Sequence, residues 1–145
     1  MSNAKGPERI EKLTNMLREW QAIERGAVDT CAEIMEKTKN PLIRQFMEII
    51  RNDSVQHHRV QQFLIDSLTK EQVKLTPEEL GEVWDQIKAH DEVERKTIEL
   101  AKECKKECRF FVQRALLDYL ITDEEKHDQL LNSLEEFKKN IYPYG

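Results

Sequence analysis

Side chains able to ligate a metal ion fall at related places in the two halves of the chain: Glu24, Asp53 and His57, then Glu94, Asp123, Glu124 and His127. Glu24, Asp53, His57, Glu94, Asp123 and His127 interrupt helical stripes that are otherwise apolar. Carboxylates gathered on inward faces without partners cost several kcal/mol per buried ion, and like charges add repulsion. No Lys or Arg lies on the stripes at this level, although Arg25 and Arg95 follow Glu24 and Glu94 and could reach round the edge. Glu24, Asp53, Glu94 and Glu124 bring about −4 of charge, which two divalent cations would neutralise, with His57 and His127 as neutral nitrogen ligands. The residue types and their spacing point to a two-metal carboxylate site.

These residues are positioned by a repeat. Sliding the sequence on itself by 70 residues pairs Glu24 with Glu94, Arg25 with Arg95, Glu33 with Glu103, Arg44 with Arg114, Asp53 with Asp123, His57 with His127 and Leu64 with Leu134. Apolar pairs such as Leu17/Ile87, Val28/Ile98 and Ile50/Leu120 fill the intervals. Two copies of one helical hairpin, joined by a crossover at 69–76, are expected.

The elements follow from punctuation and period. Gly6-Pro7, Asn40-Pro41 and Thr76-Pro77 open helices, and Thr76 with Glu79 has the spacing of a capping box. Helices are predicted over 7–38, 41–68, 77–107 and 110–138, giving an all-α single domain over 7–140, a four-helix bundle of two antiparallel hairpins (7–68 and 77–138). The third-to-fourth junction has neither Gly nor Pro, and the repeat alone sets it near Arg109. The inward stripes are Ile10, Leu13, Leu17, Trp20, Glu24, Ala27, Cys31 in the first helix and Ile43, Phe46, Ile50, Asp53, His57, Val60, Leu64 in the second. The third carries Leu80, Val83, Ile87, His90, Glu94, Thr97, Ala101, and the fourth Leu116, Leu120, Asp123, His127, Leu130, Leu134. At 1.5 Å rise per residue, Glu24 and Ser54 both lie roughly 22 Å from the turn at Lys39. Glu94 and Glu124 stand equally far from Arg109, so the polar interruptions share one level if the helices pack side by side.

This set resembles the ferritin-like di-iron or di-manganese carboxylate proteins, which include rubrerythrins, ferritins and bacterioferritins. Their pattern is a Glu from each of two helices and a Glu-x-x-His from each of the other two. Glu24 and Glu94 match the single glutamates, and Glu124 with His127 matches the fourth-helix motif, in wording closest to rubrerythrin. In the second helix Ser54 stands where the family has a bridging Glu, and Asp53, four residues before His57, is the candidate replacement. Asp123 holds the matching place in the other half. The resemblance implies a dinuclear site of two divalent ions, iron first, with manganese or zinc as alternatives. It implies reaction of ferrous iron with oxygen or peroxide, and assembly as a homodimer or higher homo-oligomer. Peroxide reduction would need an external electron donor, because no rubredoxin-type cysteines are present.

Composition sets the outer bounds. The chain has 145 residues, a formal charge of −5, 35% charged and 39% hydrophobic residues, and only four Gly and four Pro, which favours one helical domain over a many-stranded one. The acidic balance without a basic stripe argues against nucleic acid as a partner. No apolar run is long enough to span a bilayer, and Met1–Lys5 lacks the apolar centre of a signal peptide, so a soluble cytoplasmic protein is expected. Cys31, Cys104 and Cys108 form no Cys-x-x-Cys pair and are read as reduced helix residues. Trp84, Phe110 and Phe111 are read as packing groups, Tyr119 as an interior or interface residue with a hydrogen bond near the site as its alternative, His58 as surface or supporting, and His90 as packing, with ligation as its alternative. The reading from a different class is a non-enzymatic bundle with a degenerate or structural metal site, acting as a dimerising or partner-binding module. Haemerythrin-like oxygen binding fits less well, because the chain has only four histidines, two of them adjacent.

Overall fold

The computed structural model describes residues 6–71 and 73–141, so Met1–Lys5, read above for targeting, lies outside the described residues. Among the described residues there are four helices and no strand: α1 (Gly6–Lys37), α2 (Pro41–Thr69), α3 (Pro77–Glu107) and α4 (Phe111–Ile141). The chain divides into two compact units at Val73/Lys74. Each is a helical hairpin, α1 packed along α2 and α3 along α4. None of these helices is long and apolar enough to cross a membrane.

The helix ends have identifiable causes. Asn40 Oδ1 accepts from the Leu42 and Ile43 amides at 3.0 and 3.2 Å and starts α2, with Pro41 directly after it. Thr76 and Glu79 form the reciprocal capping box at the start of α3, with bonds of 3.1 and 3.2 Å. The junction without Gly or Pro is closed by a side chain. Arg114 Nη1 donates to the carbonyls of Lys105 (2.8 Å) and Cys108 (3.3 Å) at the end of α3, where the Lys105 carbonyl also accepts from the Cys108 amide at 3.3 Å. In the first hairpin Arg44 does the same for the carbonyls of Met35 and Thr38, each 70 residues earlier.

The strip buried within hairpin one runs through Thr14, Leu17, Gln21, Glu24 and Cys31 of α1 and Ser54, Gln61 and Ile65 of α2. Spacings of three, four and seven keep it on one line along each helix. It overlaps the expected inward stripe only at Leu17, Glu24 and Cys31. Ile10, Leu13, Trp20, Ile43, Phe46, Ile50, Val60 and Leu64, all expected inward, are exposed. The reason is geometric: a helix in a two-helix pair buries only the strip facing its neighbour, and at 100° per residue that strip is turned from the apolar stripe by about 40° on α1 and about 70° on α2. Hairpin two has the same character. Leu80, Glu94 and Ile121 are buried, whereas Val83, Leu120 and Leu130 are exposed.

Candidate metal centre

Hairpin two brings three expected ligands together. Glu94 on α3, Glu124 and His127 on α4 each offer one ligand atom, and the three atoms lie within 4.8 Å of one another. His127 Nδ1 stands 3.4 Å from Glu94 Oε1 and 3.6 Å from Glu124 Oε2. Two ligand atoms each about 2.1 Å from one ion, at right or tetrahedral angles, lie about 3.0–3.4 Å apart, so the cluster needs little adjustment to close on a cation. Asp123 approaches the other face of the imidazole, Oδ2 to Nε2 3.6 Å, and its second oxygen meets Lys126 Nζ at 3.1 Å. Asp123 is thereby placed to orient His127, the usual office of a carboxylate beside a ligating histidine.

Burial makes Glu94 decisive. Its side chain is 9% exposed, and Oε2 is buried with no hydrogen-bond partner. A buried carboxylate oxygen left unpaired is expensive, and a cation is the partner that removes the cost most directly. Among the described residues no Lys or Arg forms an ion pair with Glu94 or Glu24. Arg95, expected to reach round the edge, goes instead to Asp91 (3.0 Å) and Asp128 (3.8 Å). A hydrogen bond with Asp128, burial and the charge of Asp128 together push the Asp91 carboxyl above its ordinary range, against the pull of Arg95.

Hairpin one repeats part of this arrangement. His57 Nδ1 stands 3.4 Å from Glu24 Oε1, and Glu24 is buried. Ser54 is buried at 6% exposure where hairpin two has Glu124, and its hydroxyl carries no charge. Asp53 is half-buried and, among the described residues, makes no ion pair or hydrogen bond with Glu24 or His57. The expected ligands of this half therefore reduce to Glu24 and His57 in mutual contact, with Asp53 beside them on the chain.

Two supporting residues escaped the sequence reading. Trp20 Nε1 donates to Glu24 Oε1 at 3.1 Å, and His90 Nε2 lies 2.8 Å from Glu94 Oε1. The sequence places Trp20 on the apolar stripe and gives His90 as packing, with ligation as its alternative. The signal was present: each carries a ring N–H four residues before a stripe glutamate, one turn away on the same face. His58 is half-buried, with Nε2 3.1 Å from Arg25 Nη1, and its carbonyl accepts from Gln21. Trp84 lies under Lys138, whose Nζ is 4.3 Å from the ring centroid. The three cysteines are free, Cys31 buried among them.

No protein-family model, curated protein or solved structure matches the chain.

Proposed function

We propose that the chain is a metal-binding protein of ferritin-like type, in which the two hairpins form a four-helix bundle around a dinuclear iron or manganese carboxylate site. Each hairpin contributes one half: Glu94, Glu124 and His127, with Asp123 and His90 in support, and Glu24 and His57, with Asp53 and Trp20 in support. The observation that carries the reading is the buried, unpartnered Oε2 of Glu94, in a cluster whose ligand atoms all lie within 4.8 Å of one another. The exposed apolar stripe on each hairpin supports the bundle, because large apolar side chains in line on one face call for a covering surface. When bound, iron in such a layer supplies oxidation of ferrous ions by oxygen or peroxide, with electrons from an external donor if peroxide is reduced catalytically. The residues of this chain hold the ions, orient His127 through Asp123 and keep Glu94 and Glu24 fixed through His90 and Trp20.

The test is metal content by elemental mass spectrometry on protein purified without an affinity metal column, beside a Glu24→Ala/Glu94→Ala variant. Two iron or manganese ions per chain that vanish in the variant support the dinuclear site. One ion per chain places the loss at Ser54. No metal in either protein, even after reconstitution, removes the proposal and favours the second reading, a non-enzymatic helical module. That second reading draws on Ser54 itself, the buried uncharged residue that leaves hairpin one short of a ligand.

A further inference from the structure

Hairpin one has a cavity of about 380 Å³ beside Ser54, lined by Glu24, Arg25, Val28, Asp29, Ser54, Val55, His58 and Arg59. The residues 70 positions later are Glu94, Arg95, Ile98, Glu99, Glu124, Glu125, Asp128 and Gln129. The second set has one cation against five carboxylates, whereas the first has two arginines against two carboxylates. The wall is thus balanced in charge in hairpin one and strongly acidic in hairpin two, around an unchanged glutamate.

The fate of the arginines sharpens the contrast. Arg95 is absorbed by Asp91 and Asp128. Its counterpart Arg25 has Gln21 and His58 in those places, and Gln21 is turned to the His58 carbonyl and the Gln62 side chain. Arg25 meets only an imidazole nitrogen, 3.1 Å away, and since a guanidinium has donors alone, His58 Nε2 accepts that bond. The contact fixes the guanidinium without neutralising it. Among the described residues neither Arg25 nor Arg59 forms an ion pair with a carboxylate. Two guanidinium groups engaged in no ion pair, with a buried serine hydroxyl, make a recognition set for a planar anion, and Arg pairs with carboxylate two bonds at a time. Val28 and Val55 give the same cavity an apolar wall.

We propose that this cavity binds a short aliphatic carboxylate, its head on Arg25, Arg59 and Ser54 and its chain along Val28 and Val55. The bound carboxylate takes the place that the Glu124 side chain holds in hairpin two. The binding itself stands on hairpin one alone, and only its bearing on metal ligation rests on the proposed metal centre.

The experiment uses the full-length protein stripped of metal with a chelator, titrated with acetate, butyrate, hexanoate and inorganic phosphate while backbone amide resonances are followed. Saturable shifts at Ser54, Val55 and Val28 are expected, tightening roughly fourfold for each methylene buried against the valines. Phosphate, without an apolar chain, leaves those resonances unchanged at the concentrations that saturate with hexanoate. Arg59→Gln, at an exposed position, weakens binding at least tenfold. Ser54→Glu, which fills the cavity with its own carboxylate, abolishes it. Absence of saturable shifts overturns the proposal, as does binding that ignores chain length, an equal response to phosphate, or affinity retained in Arg59→Gln. Because no metal is present, each result is read separately from metal content.

Discussion

The two hairpins hold a glutamate and a histidine at the same separation, 3.4 Å between Glu24 and His57 and between Glu94 and His127, and surround the pair with different chemistry. Around Glu94 the neighbours are Glu124, Asp123 and His90, all able to ligate an ion or to orient a ligand. Around Glu24 they are Ser54, Trp20 and an arginine-lined cavity. The conserved distance is a property of the paired helices, since residues at a common level across two packed helices meet whatever their type. The chemistry of each site is decided one shell further out, by residues whose replacement leaves the helix pair intact. Position 54 and its counterpart 124 are the pivot of both proposals: Glu124 stands in the carboxylate and imidazole cluster of hairpin two, and Ser54 borders the cavity of hairpin one.

The comparison breaks most severely if the halves bind metal equally. Glu94→Ala is expected to weaken metal binding by more than about 100-fold, beyond the 10–100-fold typical of residues that only support ligands. Glu24→Ala removes far less of the total affinity, because its half holds fewer ligands. Calorimetric titration of each variant with manganese measures both, and identical losses would show that the two halves do not differ as described. Ser54→Glu runs the comparison in reverse. It is expected to tighten the hairpin-one half by about 10–100-fold. Without metal it costs about 1–3 kcal/mol of stability, because the new carboxylate is crowded against the buried Glu24 and loses hydration that Arg25 and Arg59 restore only in part. Thermal melts with and without manganese separate these effects, since the metal must restore what the substitution removes.

The helices were legible in the sequence because their ends are local events. Asn40, Thr76 and Glu79 cap through side chains two or three residues from the amides they meet, and even the unpunctuated turn near Arg109 was placed by its counterpart near Lys39. The contact between Glu94, Glu124 and His127 was legible for a related reason. Glu124 and His127 are one turn apart, and equal distance from a turn puts Glu94 opposite them. The packing phase was less legible. A stripe containing Ile10, Leu13 and Trp20 is the most apolar face of α1, yet the hairpin buries Thr14 and Gln21, which no hydrophobic period selects. The roles of Trp20 and His90 were hidden because an aromatic ring on a stripe satisfies a packing account before its N–H is considered. The cavity beside Ser54 depends on where Arg25 goes, and that is settled by Gln21 on its own helix and His58 on α2, which stand where hairpin two has Asp91 and Asp128.

The donors to the two glutamates offer a finer division of the halves. His90→Phe removes the 2.8 Å contact to Glu94 and is expected to cost about tenfold in metal affinity, in keeping with a residue that supports a ligand. Trp20→Phe removes the 3.1 Å bond to Glu24 and affects only the weaker half, so the total changes by a few-fold at most. Far-ultraviolet circular dichroism should be unchanged in both, since both side chains are largely exposed. Equal effects on affinity would mean that the donors position their helices and leave the glutamates alone.

The smallest effect separates the halves through pH. Asp91 and Asp128 in hairpin two take the places of Gln21 and His58 in hairpin one, so the contribution of a raised carboxyl at this position belongs to hairpin two. The hydrogen bond with Asp128 raises the Asp91 carboxyl above its ordinary value, so the folded chain keeps a proton that the unfolded chain has released. Stability then falls as pH rises from the ordinary aspartate range through the raised value, and it is level above that. Asp91→Asn removes this slope. At neutral pH it also removes the repulsion between the two carboxylates, while Arg95 keeps Asp128 as its partner. A gain of about 0.5 kcal/mol is expected, in the range of partly exposed charge pairs, or about 1–2 °C in Tm. Urea titrations of parent and variant across the acid range read the difference directly. Parallel stability curves for the two proteins, or a variant less stable than its parent at neutral pH, would show that Asp91 serves Arg95 more than it strains against Asp128.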